Sequence, residues 1–134
     1  LARYGVAVVS PGERAPQFGR LDPAVVLRGE RFVDLATLGG VRVEHIVSSD
    51  SPDPAEQVQD WDEWVLVLAG SADLAVAGTV ATLAAGDWVL LPAGTPHRVL
   101  RAERGTQWLA VHGTRDPAES AAADGSPQEK GGTR

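Results

Sequence analysis

The chain has 134 residues, of which 43% are apolar and 22% charged, with a formal net charge of −6 and no cysteine. That length suits a single domain with its own core. The acidic balance excludes a phosphate-neutralising nucleic-acid face, the missing cysteines exclude disulfides, thiolate metal sites and thiol nucleophiles, and no apolar run nears the ~20 residues of a membrane span.

In chain order, Gly5 to Ser10, "GVAVVS", reads as a short strand closed by Pro11-Gly12. No charged-then-apolar leader precedes it, so the expectation is a soluble cytoplasmic protein. The stretch "LDPAVVLRGERFVDLATL" suits strand or helical turn equally. After Gly39-Gly40, "VRVEHIVSS" alternates as a strand does. Six β-type segments follow, each punctuated by Gly or Pro: "EWVLVLAG", "SADLAVAG", "TVATLAAG", "DWVLLPAG", "HRVLRA" and "TQWLAVHG". Short strands at regular spacing, with no amphipathic helical window among them, predict an all-β sandwich or barrel. From Thr114 the composition turns to Ala, Gly, Ser, Pro and charge, too poor in apolar surface to offset its ordering entropy. The expected division is a partly ordered segment at 1–22, a barrel at 23–113 and a disordered tail at 114–134.

The stretch "GDWVLLPAGTPHRVLR" places Gly86, Pro92, Gly94 and His97 at separations of six, two and three residues. Gly86-Asp87 suits a turn, Pro92 a strand end and Gly94 a tight bend. This spacing resembles the second signature of the cupins. Upstream, "QVQDWDEWVLVLAG" resembles their first signature, with Gly70 setting Glu63 as its glutamate. The two histidine positions of that signature then fall on Gln57 and Gln59. The resemblance covers roughly residues 41–113 and extends to small single-domain bacterial cupins. It implies a double-stranded β-helix, the jelly-roll cupin barrel.

It also implies a site. Family ligand positions correspond to Gln57, Gln59, Glu63 and His97. Gln57 and Gln59 share strand parity and so point to one side. Glu63 has the same parity, but six residues of straight strand span roughly 20 Å, so the chain must bend near Asp60-Trp61-Asp62. A divalent ion there (Zn, Mn, Ni or Fe) would meet two neutral amides in place of imidazoles, a weaker donor set than the usual one. The alternative is a metal-free lumen in which Glu63 and His97 act as acid and base. Trp61, in the predicted bend, is the candidate pocket wall. Arg101 has the parity of His97 and Val99, which suits holding a substrate anion in the lumen; an exposed arginine fits equally well. His45 and His112 read as structural. Asp60 and Asp62 read as turn caps.

Three functions compete on these residues. The first is an enzyme acting on a small organic molecule, of isomerase, cyclase, lyase or dioxygenase type. The second is a non-enzymatic small-molecule-binding or accessory cupin, and the third is a structural module with a filled lumen. Exposed edge strands predict a homodimer, with "VAVV" as the strand added to the partner. No nucleic-acid or membrane partner is expected.

Overall fold

The computed structural model describes residues 14–114. The expected strand at Gly5 to Ser10 and the tail beyond Thr114 lie outside them. Residues 14–26 have no regular structure, and a bend at 27–29 leads into the first strand. The strands are β1 (Glu30–Leu38), β2 (Val41–Ser48), β3 (Glu63–Ala69), β4 (Ser71–Val76), β5 (Thr79–Ala84), β6 (Trp88–Leu91), β7 (His97–Ala102) and β8 (Thr106–His112). The ambiguous stretch before Gly39 is therefore a strand in its second half only.

Two antiparallel sheets form, ordered β1-β2-β8-β3-β6 and β5-β4-β7. They pack through one apolar cluster in which Ile46, Val65 and Trp108 of the larger sheet meet Leu74 and Leu83 of the smaller. This is the jelly-roll arrangement. The hairpin loops Gly39-Gly40 and Ala77-Gly78 hold positive φ at both positions, the conformation whose twist matches a two-residue β-turn.

Strand register positions the site. Glu63 opens β3 opposite Leu91 on one side and His112 on the other. The sheet thus sets a carboxylate beside an imidazole from the far end of the chain. Gly70, at φ 87°, lets the chain turn from the larger sheet into the smaller one against Thr106.

Candidate functional site

Asp60 and Trp61 form the bend expected between the polar cluster and β3. The Asp62 carbonyl accepts from Gly113 N, and its carboxylate accepts from Ala93 N, so the bend is tied to both neighbouring segments. Glu63 is then delivered to the lumen, 2% exposed. His97 arrives from the smaller sheet. Its backbone exchanges two hydrogen bonds with Gln57, at 2.7 and 2.9 Å, in an isolated bridge.

The imidazole of His97 donates from Nδ1 to the Thr95 carbonyl oxygen at 2.9 Å, because a carbonyl can only accept. In the neutral ring Nε2 is consequently the acceptor, and it lies 3.9 Å from Glu63 Oε1. Both side chains border a cavity of about 380 Å³, within the range of small-molecule sites. Gln57 also borders it. Its buried Oε1 has no hydrogen-bond partner among the described residues.

Gln59 differs from expectation. It is buried, but it is not part of the cavity wall. The segment carrying both glutamines is no regular strand: only Gln57 bridges to His97, while the Gln59 carbonyl accepts from Gly94 N. Without a ladder, i and i+2 parity has nothing to enforce it. Trp61 also stays out of the cavity wall. Its indole donates to His112 Nδ1 at 3.0 Å, with the rings edge to face.

Arg101 lies outside the barrel as well. The β4–β7 register shifts between Asp73 and Leu74, which leaves Leu100 as an extra residue on β7. This bulge reverses the alternation, so Val99 lines the cavity while Arg101 is exposed. Arg101 instead donates to Asp73 at 3.1 Å. That hydrogen bond, helped by one from Thr82, holds the Asp73 carboxyl below its ordinary value.

A second polar cluster, invisible to motif reading, adjoins Glu63. His112 Nδ1 is 4.0 Å from Glu63 Oε1, and His112 Nε2 lies 3.0 Å from Glu44 Oε1. Glu44 Oε2 accepts from Arg42 at 2.9 Å, and Arg42 also reaches Asp34 at 3.0 Å. His112 and Glu44 are each 3% exposed. One signal existed in the sequence: Arg42 and Glu44 share parity with the core residue Ile46, and an inward carboxylate needs partners.

The donor chemistry does not suit a tightly held transition-metal ion. Among the described residues no three His, Asp or Glu side chains converge as ligands. Of the four family positions, one is a carboxylate, one an imidazole and two are neutral amides, one of them outside the cavity wall. What remains is a buried carboxylate–imidazole pair beside a largely apolar chamber.

No curated protein matches the chain. Among solved structures, a proposed mannose-6-phosphate isomerase of Ralstonia eutropha JMP134 is 33% identical, with a TM-score of 0.64 over 75% of this chain and 100% of that one. The cupin domain of Schizosaccharomyces pombe Cnp3 is 15% identical, with a TM-score of 0.62 over 76% and 77% of the two chains. A cupin superfamily protein of Desulfitobacterium hafniense DCB-2 is 20% identical, with a TM-score of 0.58 over 65% and 79%. The cupin domain family matches residues 42–112. By sequence match and by architecture, the chain belongs to the cupins.

Proposed function

We propose that the protein acts on a small organic molecule in the barrel lumen by proton transfer, with Glu63 and His97 as acid and base. The observation that carries this reading is their meeting. Two buried ionisable groups from different sheets stand 3.9 Å apart on the wall of a cavity. Between them the two groups take a proton from one substrate atom and return one to a neighbouring atom. This suits isomerisation, cyclisation or elimination. A metal-dependent reaction, such as a dioxygenase would use, has less support from the donor set described above.

The test is hydrogen–deuterium exchange by NMR in D2O with a panel of enolisable hydroxy-carbonyl compounds. Glu63→Gln and His97→Asn should each slow exchange by about 10²–10⁴-fold with the fold intact by circular dichroism. An unchanged rate places the chemistry elsewhere. A non-enzymatic binding cupin is the second reading, favoured by the apolar majority of the chamber wall. Ligands that raise the melting temperature without exchange or turnover would select it.

The proposal includes a soluble cytoplasmic homodimer. Supporting the pairing, β1 is an outer strand of its sheet and exposes Val33, Leu35 and Leu38. Among the described residues no helix is long and apolar enough to cross a membrane. Light scattering checks the dimer.

A further inference from the structure

The chamber wall combines deeply buried polar groups, more exposed charged ones and an apolar majority. At the buried end, three atoms can accept hydrogen bonds: Gln57 Oε1, Glu63 Oε1 and His97 Nε2. Its apolar wall includes Phe32, Ile46, Leu74, Val99 and Trp108. The more exposed polar groups of the wall, Arg28, Arg98, Glu30 and Asp53, mark its mouth.

The four charges at the mouth are not equivalent. Asp53 Oδ1 accepts from Ala55 N, and Glu30 Oε2 accepts from Ser48, which is held in turn by the Trp108 indole. Each carboxylate therefore has one oxygen engaged by its own chain. Arg98 gives one N–H to the Pro54 carbonyl and keeps its other donors. Arg28 makes no hydrogen bond among the described residues. The donors left for a ligand at the mouth are guanidinium groups, which match a carboxylate.

We infer that the ligand is a compact monoanion with an apolar body, aromatic or branched aliphatic, carrying a hydroxyl or enol at the end opposite its carboxylate. This deepens the proton-transfer reading and rests on it for the role of the hydroxyl, which meets the acid–base pair. A hexose phosphate fits poorly. Its ring hydroxyls would lie against Ile46, Leu74 and Val99, which offer no partner. Each buried, unpaired hydroxyl lowers affinity on the order of tenfold. The substrate named for the 33%-identical relative is therefore not the class this wall selects.

The test is titration calorimetry with three probes: 4-hydroxyphenylacetate, its neutral analogue tyrosol, and mannose 6-phosphate. Wild type should bind 4-hydroxyphenylacetate at least about tenfold more tightly than either of the others. Arg28→Gln, and separately Arg98→Gln, should narrow the gap between the two phenols by weakening 4-hydroxyphenylacetate binding. Tighter binding of mannose 6-phosphate, equal binding of the two phenols, or binding of none would overturn the inference. The order of binding is read without turnover. If that order holds while exchange is indifferent to Glu63→Gln, the ligand class stands and the acid–base reading falls.

Discussion

The indole nitrogen of Trp61 lies 3.0 Å from His112 Nδ1. Because an indole can only donate, His112 carries its proton on Nε2 and gives it to the Glu44 carboxylate at 3.0 Å. His97 has the opposite arrangement, with Nδ1 donating to Thr95. Two histidines of opposite tautomer therefore flank Glu63, at 3.9 and 4.0 Å. Only His97 borders the cavity.

Trp61→Phe removes one donor and little volume. Nitrogen-15 NMR should show His112 as a single Nε2–H tautomer in wild type. The variant should lose that uniqueness, since Nδ1 becomes open to a proton or to Glu63. The accompanying loss of stability should be about 1 kcal/mol, measured by urea unfolding. An unchanged His112 spectrum would mean that the indole does not set the tautomer.

Donor chemistry also predicts the response to metal removal. Protein purified without chelator should hold well under one transition-metal ion per chain by elemental analysis. EDTA should leave the melting temperature unchanged, because Glu63, His97 and a neutral amide make a weak donor set on the chamber wall. A stoichiometric ion whose removal lowers the melting temperature would contradict this.

Gly70 has φ 87°, and a Cβ there would collide with Thr106 Oγ1 and come within 2.9 Å of Thr106 Cα. Thr106 cannot give way freely, since its backbone N donates to Glu103 O and its hydroxyl sits 2.7 Å from that oxygen. Gly70→Ala combines backbone strain with overpacking and should destabilise the fold by about 3 kcal/mol. Chemical denaturation reads the loss directly.

Arg101→Gln tests the exterior placement. Ligand binding should be unaffected, while the Asp73 carboxyl, held low by Arg101 first and Thr82 second, should move back up toward its ordinary value in carbon-13 NMR titration. The sign follows from linkage. A carboxyl depressed on folding contributes stability above its unfolded value, and that contribution is lost as pH falls through the folded one. The variant should therefore be less sensitive to pH in the acid range than wild type. Asp73 and Arg101 are solvent-exposed enough that the effect on overall stability will be small.

Strand content and the bend before Glu63 were legible from local chemistry, and the meeting of Glu63 with His97 from the resemblance to the cupin signatures. Alternation, Gly and Pro punctuation and the spacing of Gly86, Pro92, Gly94 and His97 are one-dimensional signals, and each survives in the fold. Three things were decided only in space. A single bulged residue, Leu100, turned Arg101 outward, because parity holds only while the ladder is unbroken. The single bridge at Gln57 separated it from Gln59, because alternation needs pairing to enforce it. His112 joined Glu44 and Trp61 because β8 lies between β2 and β3, a neighbourhood set by sheet order and not by distance along the chain. Local sequence selects the conformation of each segment. Long-range register decides which side chains share a buried space, and that sharing is where the chemistry resides.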